Sequence, residues 1–430
     1  MFNSSIEQLP RQELEALQLD RLKKALEAAQ RTPFYKKQFS DNNIDVSKIN
    51  SLSDLKKLPF STKSDLRVSY PDGMCAVDRN VIVRMHASSG TTGKSTVIFY
   101  TRKDIEEWSS LVARGLYSSG IRSEDVFQNM MGYGLFTGGL GLHYGAEKLG
   151  CMIIPSATGN SLKQIQLIQD FKTTAVHITP SYALHLADVI NGEGINPADL
   201  GIRRAVLGAE PYSEATRDKI QDIYGLKAYN NYGLSEMNGP GVAFECEELG
   251  GMHIWEDFYI PEIINPETGE NLPDGETGEL VITHINREAM PIFRYRTRDL
   301  TRIIPEPCGC GRTHKRIDRM KGRTDDMLII SGVNIFPSQI ESVLMNIPEV
   351  GNNYQIVVDR ENNLDKIHIK VELYSKMFHG DIKELDSLRK NITDLLKSTI
   401  IVTPKIELLE PGSLPPSTGK AVRVIDNRKI

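Results

Sequence analysis

The sequence predicts an α/β protein, with a large N-terminal α/β domain, an attached β-rich subdomain and a small C-terminal α+β domain. Three observations predict it. From Val81 onward short apolar runs alternate with helical patterns, which implies a largely parallel, covered sheet. Near Gly250 the pattern turns to strands broken by a turn-rich stretch, Asn265-Pro-Glu-Thr-Gly-Glu-Asn-Leu-Pro-Asp-Gly275. Near Gly322 to Asp326 it changes again. A chain of 430 residues also exceeds what one simple core serves.

In order, Gln12 to Gln30 carries Leu14, Leu17, Leu22, Ala25, Leu26 and Ala29 at near-helical spacing, the mark of a helix packed along one stripe. The runs Val81-Ile82-Val83, Met152-Ile153-Ile154, Ala175-Val176-His177-Ile178 and Ala205-Val206-Leu207 read as buried strands. Lys103 to Tyr117 and Leu162 to Phe171 read as helices between them. Glu279 to Thr283 is a strand of the β-rich part, which spans about 246–320. After the second change come a strand at Met327 to Ile330, a helix from Pro337, and strands at Tyr354 to Val358 and Lys366 to Leu373. A helix at Ile382 to Lys397 and a strand at Ile406 to Leu409 end the α+β unit.

Composition removes several function classes. Hydrophobic residues make up 40% and charged residues 25%, and the net charge of -5 offers no basic excess for a nucleic-acid backbone. No run approaches the ~18 apolar residues of a membrane span, and no signal peptide opens the chain, so a cytoplasmic location is expected. Five cysteines argue against a disulfide framework.

The segment His86-Ala-Ser-Ser-Gly-Thr-Thr-Gly-Lys-Ser-Thr96 lies between two predicted strands. Its core, Ser88, Ser89, Gly90, Thr91, Thr92, Gly93 and Lys94, offers tight turns, hydroxyls, amides and one cation, a set that can surround phosphate oxygens. It is not a Walker A loop, because the first glycine of that motif would fall at position 88, which is Ser.

Five further motifs follow it in order: G-A-E-P (208–211), Y-G-L-S-E (232–236), Y-R-T-R-D (295–299), G-R-T-D-D (322–326) and P-S-T-G-K (416–420). This series resembles the acyl-adenylate-forming superfamily of acyl-CoA synthetases, peptide-synthetase adenylation domains and firefly-type luciferases. The stretches Tyr133 to Gly150, Trp255-Glu-Asp257 and Asp326 to Pro337, with Leu9 to Leu19, look like the phenylacetate–CoA ligase family, over nearly the whole chain.

The resemblance implies an ATP-dependent ligase that makes an arylacetyl-CoA through an acyl-AMP, releasing pyrophosphate and then AMP. It implies a domain boundary at 324/325, with residues 325–430 a mobile unit that turns about Asp325 and brings Gly332 to face the site for thioester formation. Lys420 is the implied catalytic cation between the carboxylate and the α-phosphate, and Glu236 the Mg²⁺ ligand. The loop 88–94 is implied to hold the β- and γ-phosphates. Asp299 is the implied ribose ligand, with Arg323 in reach of the ribose. Tyr232, with Gly233 and Ser235 of its motif, covers adenine on one side, and Gly208, Ala209, Glu210 and Pro211 line the other. Tyr133, Phe136, Gly138 and Gly139 are candidates for an aryl-acid pocket. ATP, Mg²⁺ and coenzyme A are the implied cofactors, an arylacetic acid the substrate, and a homodimer the assembly.

Cys246, His253, Cys308 and Cys310 form a separate set, three thiols and an imidazole suited to structural zinc. His314 is an alternative to His253. Two other functions stay open at this point: loading a carrier-protein thiol instead of CoA, and a non-catalytic nucleotide- or zinc-binding regulator on the same fold.

Overall fold

The computed structural model describes residues 1–88, 95–330, 333–361, 364–377, 382–415 and 421–428. The chain forms two compact units. The first comprises Met1–Ala157, Ala175–His177 and Tyr229–Arg319, and the second Thr158–Thr174, Ile178–Ala228 and Met320–Ile430.

In the first unit the helix Arg11–Ala29 buries Leu14, Leu22, Ala25, Leu26 and Ala29, the stripe its spacing requires. Val126–Asn129 pairs in parallel with Met152–Ile154 on one side and with residues 175–177 on the other. The helix Arg102–Ser118 packs on the helix Thr137–Leu149, which in turn packs against Val126–Asn129 and Met152–Ile154. The former helix starts from a reciprocal cap between Thr101 and Asp104.

The chain then turns antiparallel. Residues 231–234 pair with Gly239–Glu245, which pairs with Met252–Ile254, followed by Arg316–Ile317 and Ile303–Ile304. A second antiparallel sheet runs Tyr259–Ile264, Gly278–His284, Ile292–Thr301. The β-rich stretch 246–320 thus falls almost wholly in the same compact unit as the helices Arg102–Ser118 and Thr137–Leu149.

Two expectations are corrected. Met152–Ile154 is an edge strand, with Met152 exposed. Val81-Ile82-Val83 is not a buried strand of the parallel sheet. Ile82–Ser88 pairs antiparallel with Thr96–Thr101 in a two-stranded ribbon. Val81, Val83 and Met85 face solvent, while His86 is buried. A short apolar run does not itself say which face is covered, and here the two-residue period turns the polar residues inward.

In the second unit the helices Ser161–Phe171, Pro180–Gly192 and Glu214–Tyr224 accompany the strand Arg204–Leu207. Its C-terminal part holds a four-stranded mixed sheet. Val350–Glu361 and Leu364–Leu373 pair antiparallel at its centre, with Val424–Asp426 and Lys405–Leu409 added in parallel at the edges. The helix Ile382–Ile400 buries Leu388, Ile392, Leu396 and Ile400 at four-residue spacing, and these join the core formed with that sheet. Among the described residues no helix is long and apolar enough to cross a membrane.

His177 lies wholly buried in the parallel strands, its Nδ1 3.0 Å from Asn129 Oδ1. Burial lowers its pKa to about 3. An unfolded histidine titrates near 6.5, so between these values the unfolded chain binds the extra proton and stability falls as pH drops. We expect urea unfolding to show a loss on going from pH 7 to pH 5 that is smaller in His177→Gln by about 1–2 kcal/mol. An equal loss in both proteins would exclude this contribution.

Candidate active site

The Y-G-L-S-E motif ends the strand Lys227–Leu234 and enters a short turn, Ser235–Met237, before the chain doubles back at Gly239. Gly233 is required by close approach, since a Cβ there would run into the carbonyl oxygen of Gly239. Asn238, Gly239 and Gly241 have positive φ values of 77°, 110° and 105°. Those conformations break the ladder, so nearby carbonyls need partners from outside it.

Four buried side chains supply them. Arg287 donates to Glu236 O at 2.9 Å, Tyr259 to Met237 O at 3.0 Å, Tyr100 to Asn238 O at 3.1 Å and Trp108 to Pro240 O at 2.7 Å. Tyr100 and Trp108 stack, with centroids 5.4 Å apart, and the Arg287 guanidinium lies over the Tyr100 ring. Burial pushes the Tyr100 hydroxyl up to about 12, so it stays a donor throughout the physiological range. None of the four belongs to a motif noted in the sequence. They come from separate elements, and no local pattern marks them.

Glu236 is itself buried. Ser235 Oγ meets Thr137 Oγ1 at 3.2 Å, which ties the turn to the first residue of the helix Thr137–Leu149. Tyr232 donates its hydroxyl to Asp299 Oδ2 at 2.6 Å, and both residues are largely buried. Asp299 sits in a bulge, because Glu279 and Val281 of one strand face Leu300 and Arg296 of the other. The surrounding cations have other partners: Arg294 pairs with Glu262, Arg296 with Glu279 and Arg302 with Asp318. The cations of this stretch are thus held by other acids, Arg298 also approaching Glu279, and Asp299 is joined to Tyr232.

The first unit also holds the pocket candidates. Asn129 Nδ2 donates to Tyr133 Oη at 2.9 Å and to Gly139 O at 2.8 Å, and Tyr133 Oη lies 3.3 Å from His143 Nδ1. Burial raises the Tyr133 hydroxyl to about 12. A Cβ on Gly139 would meet the Gly132 carbonyl, and one on Gly138 would enter the Phe136 ring. Phe136 is exposed. His86 Nδ1 and Ala87 N both approach Leu135 O, so this loop lies against the strand that ends at Ser88, whose hydroxyl meets that of Thr96.

The second unit carries the remaining described candidates. Gly208 and Pro211 flank Ala209, which has a φ of 68°, and Glu210. Glu210 accepts from Ser181 N at 2.6 Å and from Ala421 N at 3.1 Å, so it ties the residue after Lys420 to the start of a helix. No local pattern signals that tie, since its partners are far apart in the chain. Arg323 Nε donates to Asp325 Oδ1 at 3.0 Å, and the Asp325 side chain is exposed. Ser89, Gly90, Thr91, Thr92, Gly93, Lys94, Gly332 and Lys420 lie outside the described residues.

Cys246, His253, Cys308 and Cys310 converge in the first unit, their ligand atoms all within 4.8 Å of one another. His253, not His314, completes the set. His314 is turned to other work: its Nδ1 accepts from Glu256 N and its Nε2 lies 3.1 Å from Ile6 O.

Trp255-Glu-Asp257 also has a local explanation. Arg114 and Asp257 form a buried pair at 2.7 Å. Burial favours the neutral Asp257 carboxyl, but the guanidinium outweighs it and holds the pKa below the usual carboxylate value. Glu256 takes both terminal nitrogens of Arg11, and its backbone carbonyl accepts from Gln18.

The AMP-binding enzyme model matches residues 14–286, and the AMP-binding enzyme C-terminal domain model matches residues 332–428. Phenylacetate-coenzyme A ligase of Thermus thermophilus is 47% identical over 100% of both chains. The ligase of the same name from Aromatoleum evansii is 47% identical over 98% of this chain and 96% of its own. The chain belongs to the phenylacetate–CoA ligase family of AMP-binding enzymes. A crystal structure of 2-hydroxyisobutyryl-CoA ligase in the postadenylation state matches with a TM-score of 0.93 at 29% identity, over 99% of this chain and 92% of that one. The adenylate-forming fold expected from the sequence, with an N-terminal AMP-binding domain and a C-terminal domain, is therefore the fold of this family member.

The Tyr232–Asp299 contact generates a test. A hydrogen bond to a charged group contributes roughly 1.5–3 kcal/mol, so Tyr232→Phe should raise the KM for ATP about tenfold or more, with a smaller change in kcat. An unchanged KM for ATP would separate this pair from nucleotide binding.

Proposed function

We propose that this protein joins an arylacetic acid, of the phenylacetate type, to coenzyme A at the expense of ATP. The full-length kinship with phenylacetate–CoA ligases carries the reading, and the fixed carbonyls around Glu236 and the Tyr232–Asp299 pair support it. The acid's carboxylate oxygen attacks the α-phosphorus, the bond to the β-phosphate breaks, and pyrophosphate leaves. The CoA sulfur then attacks the acyl carbon of acyl-AMP, and AMP leaves with the electron pair of the broken C–O bond.

A carboxylate and a triphosphate repel, so the chain must hold both and oppose the charge that grows at the phosphorus. In our reading Lys420 donates between the carboxylate and the α-phosphate, and residues 88–94 hold the outer phosphates. Asp299 accepts from the ribose hydroxyls, with Arg323 nearby. The Tyr232 ring lies on adenine, and its hydrogen bond to Asp299 fixes its plane; Gly208, Ala209, Glu210 and Pro211 are nucleotide-binding residues as well. Glu236 suits one-carboxylate binding of Mg²⁺, which would neutralise phosphate charge. Its backbone is fixed on the carbonyl side by Arg287. Tyr133, Phe136, Gly138 and Gly139 form the aryl pocket, where the glycines keep the helix start close to the loop.

We assign residues 1–324 to the AMP-binding domain, with its β-rich part at 246–320, and 325–430 to a domain that turns about Asp325 between the two half-reactions. That turn brings Gly332 to the thiolation side. The exposed Arg323–Asp325 pair is compatible with a hinge, because it buries neither charge. A structural zinc ion at Cys246, His253, Cys308 and Cys310, a homodimeric assembly and a cytoplasmic location complete the proposal.

A panel of carboxylic acids, assayed with ATP and with or without CoA, tests the function. We expect phenylacetate or a close arylacetate to give AMP, pyrophosphate and a CoA thioester. Pyrophosphate release that CoA neither follows nor consumes, with acyl transfer to a carrier protein instead, would replace CoA as the acceptor. Lys420→Ala should lower acyl-AMP formation roughly 10²–10³-fold while thioester formation from supplied acyl-AMP persists. Asp325→Pro should slow one half-reaction far more than the other, and equal losses would remove the hinge.

A further inference from the structure

The Cys308–His314 segment holds two of the four converging ligand residues, and the same segment binds the N-terminal residues 3–11. These two facts belong together.

Cys246 Sγ lies 3.6 Å from Cys308 Sγ, and Cys310 Sγ lies 3.3 Å from His253 Nε2. A disulfide would bring sulfurs to about 2.05 Å, so Cys246 and Cys308 are not bonded to each other. With Zn–S near 2.3 Å and Zn–N near 2.0–2.1 Å, the edges of a tetrahedron are roughly 3.5–3.8 Å, close to both separations. His253 Nδ1 donates to His314 O at 3.2 Å, which leaves Nε2 with its lone pair free to ligate. His253 is fully buried, paired with Phe244 on one side and Arg316 on the other. The topology explains the convergence: Cys246 follows one strand of this sheet, and Cys308 and Cys310 lie in the connection that leads to another.

The N-terminal contacts come from the same loop. Arg312 Nε donates to the buried Glu7 carboxylate at 2.6 Å, and Thr313 N donates to Glu7 O at 3.0 Å. His314 Nε2 meets Ile6 O at 3.1 Å, and Arg11 donates to Thr313 O at 3.0 Å. Glu7 in turn accepts from Asn3 N. Three thiolates and Zn²⁺ carry one net negative charge, and Arg312, two positions after Cys310, is the cation between that charge and Glu7.

We infer that zinc bound by Cys246, His253, Cys308 and Cys310 shapes the 308–314 loop into a clasp for residues 3–11, so that metal loss releases the N-terminal segment. Binding displaces three thiol protons and forms one Zn–N and three Zn–S bonds, with no change of oxidation state. The inference rests on the zinc site of the proposed function and is independent of the ligase chemistry.

Its test therefore reads metal content and backbone protection, not activity. Elemental analysis of the full chain, purified without added metal, should find one zinc per chain; none, or iron in its place, overturns the site. Removing zinc with a thiol-blocking mercurial and a chromogenic chelator should raise hydrogen exchange of amides 3–9 roughly tenfold or more. Unchanged exchange would overturn the clasp. Cys310→Ser should lose zinc and show the same exchange, and chelated wild-type protein supplies that readout if the variant fails to fold. Glu7→Gln should keep zinc yet expose the segment, and zinc loss in that variant would overturn the inferred direction of dependence.

Discussion

Four hydrogen bonds to consecutive parts of one turn hold the candidate site in shape. Arg287, Tyr259, Tyr100 and Trp108 donate to the carbonyls of Glu236, Met237, Asn238 and Pro240. An unpaired buried carbonyl costs about 1–3 kcal/mol, so the positive-φ turn and the aromatic cluster stabilise each other. The donors come from a ribbon strand, a helix, a sheet strand and the Asn286–Ala289 connection. A change in any of these elements therefore reaches Glu236 through its backbone. This is how a short polar motif becomes a rigid turn.

A second polar network does comparable work elsewhere in the first unit. Arg114 with Asp257, Arg11 with Glu256 and Arg312 with Glu7 are ion pairs whose acidic partners are fully or nearly buried. Removing one partner of a buried pair leaves an uncompensated charge, at a cost of about 3–5 kcal/mol. These pairs connect the helix Arg102–Ser118 and Arg11 to the Trp255-Glu-Asp257 segment, and Glu7 to the cysteine-bearing loop. The W-E-D sequence thus has a structural explanation that does not require contact with substrate.

Local periodicity was a sound guide wherever packing follows period. The stripe of Arg11–Ala29, the strands at 175–178 and 204–207 and the helix Ile382–Ile400 all appear where apolar spacing put them. The ribbon at Ile82–Ser88 departs from it, because a three-residue apolar run carries no information about which face another element covers. Glu210 is a different case. Its motif was legible, but its bond to Ala421 N joins residues 211 positions apart, and nothing local encodes that partner.

The sequence alone determined the inventory: which side chains can cradle phosphate, accept from a ribose or bind a soft metal, and the motif order that marks this family. It also supplied both histidines near the cysteines without choosing between them. Only the tertiary structure decided that His253 faces the thiols while His314 bonds Ile6 and Glu256. The physical reason is directional. A residue's chemistry is fixed by its identity, but its hydrogen-bond partner depends on where the backbone aims it, and that is set by strands and turns far away in the chain.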